Sequence, residues 1–274
     1  LIEIYKRWIP NDKIIKTNVW SSELSKLVSN AMLAQRISSI NSISALCEKT
    51  EANIDEVSKA VGLDSRIGPN FLKSSVGFGG SCFKKDILNL VYLARQYKLE
   101  EVAKFWESVV KINDYQTYRF GQKIIYLYKD HKNKTVTILG WSFKKDTNDS
   151  RESASISLAN QLLEKKFNIR VYDPMVSNSR IIQDITNKLK SSKKTTKQIK
   201  RFISRLTICD NIDSALNNSN LAAVCTEWDE FKSVDWNKIF INMKNNPWVF
   251  DGRNIIDRDK LKNIGFKTFF IGQP

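Results

Sequence analysis

Thr135-Val136-Thr137-Ile138-Leu139 is a β-rich run that marks a change in the hydrophobic pattern of the chain. A helical pattern follows over residues 153–166, and a second β-rich run covers residues 169–172. A strand, a helix and another strand in this order predict a βαβ unit with parallel strands.

Four more β-rich runs alternate with helical segments downstream, at residues 206–208, 221–225, 248–250 and 266–271. This alternation predicts an α/β fold whose doubly wound, Rossmann-like parallel sheet has helices on both faces. We expect this domain to cover residues 131–274.

The chain upstream of the sheet has a helical pattern. Apolar residues recur at nearly the helical period over residues 21–47 after a Ser-Ser N-cap signal, and a short helix is expected between Asn53 and Gly62. A third helix should begin at Ser81 or Cys82, and a long one should cover residues 100–128. The pattern therefore predicts an all-helical domain over residues 1–130.

Residues 186–205 form a basic insert in the predicted α/β domain. From Lys188 to Arg205 the sequence has eight Lys or Arg residues and no acid, and Phe202 is its single aromatic residue. A nucleic-acid site would need more aromatic side chains for bases to stack on. We interpret the insert as a solvated loop and predict no nucleic-acid partner.

Composition excludes several classes of protein. The 274 residues suffice for two domains, and 44 Lys plus Arg against 29 Asp plus Glu give a net charge of +15, which suits an anionic ligand. One histidine, His131, cannot build a His-rich metal site and argues against a Ser-His-Asp triad, so no metal is predicted.

The four cysteines lack C-x-x-C spacing and are too few for a disulfide scaffold, which favours reduced thiols in a cytoplasmic protein. No apolar run is long enough for a membrane span, and no membrane partner is predicted.

The strongest chemical signal is Gly77-Phe78-Gly79-Gly80-Ser81-Cys82-Phe83-Lys84-Lys85-Asp86. Three glycines in four positions let a backbone approach a ligand, and the start of a helix directs free N–H groups at an anion. A cysteine in the first turn beside two lysines is expected to favour its nucleophilic thiolate form. Asp86 shares the helix face of Cys82. The alternative is a buried, inert cysteine next to a glycine turn.

These ten residues closely resemble the catalytic-cysteine loop of the UDP-glucose 6-dehydrogenase family. The resemblance covers the chain apart from the basic insert and extends through WSSELSKL (20–27), AQRISSINSI (34–43), FKKDT (143–147), RES (151–153) and FDGR (250–253). It implies oxidation of C6 of UDP-glucose from alcohol to carboxylate, with two hydride transfers to NAD. It also implies a central helical dimerisation domain, a UDP-binding domain, and homodimers that can gather into hexamers.

The resemblance implies roles for four catalytic residues. Cys82 would attack the aldehyde-level intermediate, forming a thiohemiacetal that the second oxidation converts to a thioester. Lys26 and Asn30, one helical turn apart, would contact the reacting hydroxyl and stabilise oxyanion-like intermediates. Asp86 would orient the hydrolytic water or balance Lys26. Without the resemblance, Lys26 and Asn30 would be interpreted as a solvated helix face.

The same resemblance implies two sets of binding residues. UDP-glucose would be held by Phe71, Leu72, Lys73, Ser74, Ser75, Val76, Gly77, Phe78, Gly79, Phe143, Lys144 and Arg253, with Arg66 lent to the neighbouring subunit's site. NAD would be contacted by Cys82, Phe83, Lys84, Lys85 and Arg151.

The βαβ unit that ends at Asp173 is a poor NAD site by itself. The turn after its first strand has one glycine, Gly140, in place of G-x-G-x-x-G. The acidic residue after its second strand, Asp173, lies further along the chain than the acidic residue of that fingerprint. Leu1 aligns partway into the family, after the N-terminal NAD domain. We therefore expect a piece of a longer polypeptide that binds NAD weakly and does not turn over alone.

Two other functions stay open from the sequence. One is oxidation of GDP-mannose or UDP-N-acetylmannosamine by a dehydrogenase of the same family. The other is a non-catalytic basic module that binds nucleotides or nucleic acid.

Overall fold

A computed structural model of the chain describes residues 1–131, 134–244 and 246–274. Its helices are α1 (Ile2–Tyr5), α2 (Val19–Cys47), α3 (Ile54–Gly62), α4 (Phe83–Gln96), α5 (Glu100–Leu127), α6 (Ala154–Glu164), α7 (Asn178–Ser191), α8 (Thr196–Ile203), α9 (Ile212–Leu216), α10 (Asp229–Lys232), α11 (Trp236–Asn242) and α12 (Arg258–Ile264), with a 3₁₀ turn at Asn11–Lys13. Its strands are β1 (Thr135–Leu139), β2 (Asn168–Tyr172), β3 (Leu206–Ile208), β4 (Leu221–Val224), β5 (Trp248–Asp251) and β6 (Lys267–Phe270).

The six strands form one parallel sheet in the order β3-β2-β1-β4-β5-β6. The chain winds outward from β1 to β3, returns to β4 beside β1, and winds outward again to β6. Alternate side chains of β1 enter different cores, Ile138 on one face and Leu139 on the other. The predicted α/β fold with a doubly wound sheet is therefore confirmed.

The helical part is built around α2, α4 and α5. Ala31 and Ala34 of α2 are fully buried against Ile87 and Val91 of α4, because small side chains let the helix axes approach closely. The predicted N-cap of α2 is wrong by a few residues. The side chain of Asn18 accepts a hydrogen bond from the Ser21 amide at 2.8 Å, so α2 begins at Val19.

The basic insert is helical, and its interpretation as a loop is wrong. α7 continues to Ser191, and α8 follows a capping box made by Thr195 and Gln198. Ile199 is buried, while Phe202 and Ile203 pack against the core of the sheet. These three apolar residues have the i, i+3, i+4 spacing of one helix face, a signal that the many lysines around them obscured.

A buried ion pair joins the helical part to the end of the chain. Glu48, at the end of α2, pairs with Arg119 at 2.7 Å and Lys123 at 3.1 Å, and its other oxygen accepts from the Gly272 amide at 3.0 Å. The side chains of Glu48 and Arg119 are 5% and 11% exposed. Such a carboxylate depends on its partners, because burial removes it from water.

None of the helices in the described part of the chain is long and apolar enough to cross a lipid bilayer.

Replacing Glu48 with Gln should destabilise the protein by about 3–5 kcal/mol, because Arg119 would lose a buried counter-charge. Urea unfolding followed by circular dichroism measures this loss. The matched control is Glu101→Gln, which breaks a pair with Lys104 whose carboxylate is 87% exposed and should change stability by less than about 1 kcal/mol. Equal effects of the two variants would contradict the prediction.

Candidate active site

Residues 74–80 form a loop that leads into α4 and has a backbone held by polar side chains. Three of these belong to α5: Gln116 donates to the Ser75 carbonyl (2.7 Å), Thr117 donates to the Val76 carbonyl (2.8 Å), and Asn113 contacts both the amide and the carbonyl of Phe78 (2.8 and 3.0 Å). Sequence reasoning missed them. The sequence feature that could have found them is their i, i+3, i+4 spacing, which places three polar side chains on the inner face of a buried helix.

The α/β part holds the other side of this loop. The Val76 amide donates to the Gly252 carbonyl at 2.7 Å, and the Gly80 amide donates to the Arg151 carbonyl at 2.8 Å. A Cβ atom on Gly79 would lie 2.5 Å from the carbonyl oxygen of Glu152. Gly79 thus permits close packing between the two parts of the chain. The sequence had instead suggested that the glycines of this loop let the backbone approach a ligand.

Cys82 stands at the N-cap of α4 and is exposed, so the alternative of a buried cysteine is wrong. Its Sγ lies 3.6 Å from the Ser81 hydroxyl. The pKa of Arg151 is raised mainly by its hydrogen bonds to Asp149, and the nearby Cys82 makes a smaller electrostatic contribution. The thiol therefore lies within the electrostatic reach of a guanidinium and next to the free amides of a helix start.

Lys26, Asn30 and Asp86 come together from two helices. One oxygen of the buried Asp86 carboxylate accepts from Lys26 Nζ at 2.5 Å and from Asn30 Nδ2 at 2.6 Å. Burial raises the pKa of Asp86, but the hydrogen bonds from Lys26 and Asn30 and the charges of Lys26 and Lys85 outweigh burial and lower it overall. Because Asp86 lies one turn after Cys82, this cluster and the thiol belong to one region.

A cavity of about 220 Å³ lies between the helical part and the sheet. Of the residues predicted to bind UDP-glucose, it contains Phe71, Lys73, Ser74, Ser75, Gly77, Phe78 and Arg253; it also contains Ile37 and Glu227, which sequence reasoning missed. The non-glycine residue Phe71 has a φ of 62°, a strained conformation beside the cavity.

Six residues predicted to bind UDP-glucose lie outside the lining of this cavity: Arg66, Leu72, Val76, Gly79, Phe143 and Lys144. Val76 is fully buried in the core of the sheet, and Arg66 is exposed and paired with Asp64 at 2.6 Å. The Phe143 carbonyl accepts a hydrogen bond from Arg253 at 3.0 Å, and the Lys144 ammonium lies 5.8 Å from the Phe143 ring. Their ligand contacts stay predictions.

An open cleft of about 670 Å³ adjoins the cysteine loop and contains three of the residues predicted for NAD, Lys84, Lys85 and Arg151. Arg180 and Lys188 of α7 add positive charge to its wall. These cations suit the pyrophosphate of a dinucleotide. Phe83, another predicted NAD residue, packs edge to face against Phe78.

Lys84 has partners inside the protein. Its ammonium lies 3.2 Å from Glu152 and 3.6 Å from Asp114, so it links the start of α4 to α5 and to the α/β part. Its own burial lowers the pKa of Lys84, and the two carboxylates outweigh burial and raise it. Lys85, which is exposed, is therefore better placed than Lys84 to meet an anion, whereas Arg151 is already paired with Asp149 at 2.7 Å.

The β1–β2 unit does not fit a dinucleotide at its own strand ends. Asp173 accepts hydrogen bonds from the amides of Trp141 and Ser142 through one oxygen and from two amides of the following loop through the other. A Cβ atom on Gly140 would lie 2.3 Å from the Cβ of Thr226. Protein atoms thus take the positions where a ribose and a pyrophosphate would bind.

Within the described residues, no group of three or more His, Cys, Asp or Glu side chains is arranged to hold a metal ion.

Two family models match the chain. Residues 20–115 match the central domain of the UDP-glucose/GDP-mannose dehydrogenase family, and residues 137–258 match the UDP binding domain of the same family.

Curated relatives agree with these matches. The chain is 48% identical to UDP-glucose 6-dehydrogenase 1 of Glycine max over its whole length, which corresponds to 58% of that protein. It is also 48% identical to the UDP-glucose 6-dehydrogenase of Drosophila melanogaster, with 98% of this chain and 56% of the relative aligned. The chain thus spans about 58% of the length of the first of these relatives.

Solved structures are similar over most of the chain. A UDP-glucose dehydrogenase from Pyrobaculum islandicum superposes with a TM-score of 0.73 and 26% identity, covering 93% of this chain and 51% of that one. A UDP-D-ManNAc dehydrogenase from Pyrococcus horikoshii superposes with a TM-score of 0.76, covering 99% of this chain and 56% of that one. Its identity of 21% supports the shared fold alone.

Iodoacetamide should alkylate Cys82 before the other three cysteines of the native chain. Cys82 is exposed, whereas burial raises the pKa of Cys47, of Cys209 and, to about 12, of Cys225, which keeps these thiols protonated. Peptide mass spectrometry after short labelling identifies the modified residue, and Cys82→Ser is the control that should lose the fast phase. Labelling of Cys209 at the same rate as Cys82 would refute the prediction.

Asp86 should stabilise the protein at neutral pH and contribute less in acid. Its folded pKa lies below its unfolded value of 3.8, so its stabilising effect is present above that value and is lost as the pH falls through the folded pKa. We expect Asp86→Asn to cost roughly 1–3 kcal/mol at neutral pH and less at pH ~3, which lies below the unfolded value.

Urea unfolding of both proteins at the two pH values tests this, with the exposed Asp12→Asn as the matched control that should show little difference. A pH-independent gap between wild type and Asp86→Asn would show that the ion pair is not the cause.

Proposed function

Because the chain belongs to the UDP-glucose/GDP-mannose dehydrogenase family, we propose that it forms the thiol-bearing and UDP-binding part of an NAD-dependent UDP-glucose 6-dehydrogenase. One observation carries this proposal. The exposed thiol of Cys82 stands at a helix start, one turn before a carboxylate that gathers Lys26 and Asn30. The identity of 48% to proteins named UDP-glucose 6-dehydrogenase favours UDP-glucose among the nucleotide sugars of the family.

Lys26 and Asn30 have donors to spare for the reacting oxygen of the sugar. The Lys26 ammonium has three N–H groups and the Asn30 amide has two. Each side chain donates one N–H to Asp86, so two remain on Lys26 and one on Asn30. The Lys26 side chain is 60% exposed, so its remaining donors can meet a ligand. A positive charge and a neutral donor on one oxygen stabilise the alkoxide and the tetrahedral oxyanions that form at C6.

Cys82 would act after the first oxidation of C6. Its sulfur adds to the aldehyde carbon, a C–S bond forms, and the carbonyl oxygen takes the electron pair and a proton to give a thiohemiacetal. The second oxidation converts this to a thioester. Attack by water gives the carboxylate, breaks the C–S bond and returns the thiolate.

Lys85 and Arg151 would hold the NAD pyrophosphate at the open cleft beside the thiol. NAD supplies the oxidising power, because it accepts the two electrons removed from C6 in each step. Asp86 keeps Lys26 and Asn30 in place throughout, and its negative charge offsets Lys26 before the substrate binds.

We further propose a cytoplasmic homodimer that assembles through the helical part and can form hexamers. In support, α2 and α5 expose large side chains, among them Met32, Leu46, Tyr115 and Tyr118, each more than half exposed. Arg66 lies outside the cavity and faces solvent, which agrees with a residue that reaches the site of a neighbouring subunit. The free cysteines suit a reducing compartment.

The full-length protein that contains this chain should produce two NADH for each UDP-glucose consumed, and Cys82→Ser should reduce this rate by several orders of magnitude. NADH absorbance and product mass spectrometry measure both quantities. Cys209→Ser is the matched control and should keep the wild-type rate. If Cys82→Ser still produces UDP-glucuronate at the normal rate, the thioester route is excluded.

A further inference from the structure

Arg180 stands on the wall of the open cleft of about 670 Å³ and has no role in the proposed mechanism. It lies in the first turn of α7, and its side chain is 41% exposed. Arg151 lines the same cleft, and both arginines also line an adjoining cavity of about 500 Å³. The two guanidinium groups therefore stand where the two cavities meet.

The protein holds the Arg180 side chain in place through its Nε atom. This nitrogen donates to the Ser150 hydroxyl at 3.1 Å and lies 3.0 Å from Asp184 Oδ1. Asp184 is buried and accepts hydrogen bonds from the Trp141 indole and the Ser150 hydroxyl. Because Trp141 is fully buried in the core of the sheet, these contacts fix the position of the guanidinium.

The contacts of Arg180 use its Nε group alone. Its two terminal nitrogens, which carry four N–H groups, donate to no residue that the structure describes. Arg151 differs, because its Nε and Nη2 groups both donate to Asp149, at 2.9 and 2.7 Å. Arg180 thus keeps free the end of the guanidinium that can bind two phosphate oxygens at once.

The charge of the cleft also suits a phosphate. Its lining contains five basic side chains and two acidic ones. One of the basic side chains is Lys188 of the basic insert, which lies on the same face of α7 as Arg180, two turns further along. Asp184 offsets part of the charge of Arg180 but does not occupy its terminal N–H groups. An anion in the cleft therefore meets both positive charge and free donors.

We propose that Arg180 is a further binding residue for NAD and that its two terminal nitrogens would hold oxygens of the NAD pyrophosphate. This rests on the proposed function, in which NAD binds beside the thiol of Cys82. The cleft contains Ser81, the neighbour of Cys82, as well as Arg180, so one ligand can reach both. A guanidinium that the protein already holds in place loses little conformational freedom when it binds.

Titration of the full-length protein with NADH, followed by fluorescence, tests this assignment. Arg180→Gln removes the charge and the pair of terminal nitrogens, so NADH should bind about tenfold more weakly. UDP-glucose should bind both proteins equally, because Arg180 does not line the cavity of about 220 Å³. The matched control is Arg201→Gln, which removes an exposed arginine of α8 outside the cleft and should leave both affinities unchanged.

Two further measurements separate a contact with the pyrophosphate from a structural role. ADP-ribose, which has the pyrophosphate but no nicotinamide, should lose affinity for Arg180→Gln by the same factor as NADH. Added NaCl should weaken NADH binding to the wild type more steeply than to Arg180→Gln, because the variant lacks one contact between opposite charges. Arg180→Lys keeps the charge but not the paired donors, so its NADH affinity should lie between the other two.

Several results would overturn the assignment. Unchanged affinity of Arg180→Gln for NADH or for ADP-ribose would mean that Arg180 does not contact the pyrophosphate. Equal weakening of NADH and UDP-glucose, or an unchanged salt dependence, would mean that Arg180 acts only through the fold. If Arg180→Gln does not fold, Arg180→Lys takes its place, and wild-type NADH affinity in that variant contradicts the role of the paired donors. A wild-type protein that binds no NADH would overturn the proposed function, and this assignment with it.

Discussion

Close packing of the 74–80 loop between α5 and the α/β part is the constraint on which the candidate site depends. Gly79 touches the Glu152 carbonyl so closely that a methyl group would not fit. The loop also receives hydrogen bonds from α5 on one side and donates two backbone hydrogen bonds to the α/β part on the other. Because α4 begins where this loop ends, the same contacts set the position of Cys82.

Three buried carboxylates organise the surroundings of this loop. Asp86 gathers Lys26 and Asn30, and Asp173 holds the turn after β1. Asp251, the fully buried last residue of β5, accepts from the amides of Arg253, Ile255 and Ile256, each at 2.8 Å. Burial raises the pKa of Asp251, and these amides limit the rise. A carboxylate that accepts several N–H groups can remain buried and fixes the direction of the chain at that point.

The basic side chains that give the net charge of +15 differ in their partners and positions. Lys84 pairs with the exposed acids Asp114 and Glu152, Arg119 pairs with the buried Glu48, and Arg253 is balanced by Glu227. Lys85 and Arg151 face the open cleft beside the thiol. The lysines of α7 and α8 surround an apolar face that packs on the sheet, so they lie on the solvent side. Charge counted along the sequence therefore overstates the charge that a ligand meets.

The sequence by itself determined the order and type of the main helices and strands. Apolar residues that recur every 3.6 or every 2 residues, and the N-cap of α3 at Asn53, are local signals. It also singled out Cys82 and its neighbours as candidate site residues, since a glycine loop before a helix start is a local signal too. Tertiary structure alone decided that Gly79 packs on Glu152, that Lys84 pairs with two acids, and that Glu227 meets Arg253. These contacts join residues far apart in the chain, so their distances depend on how the helices and the sheet pack together.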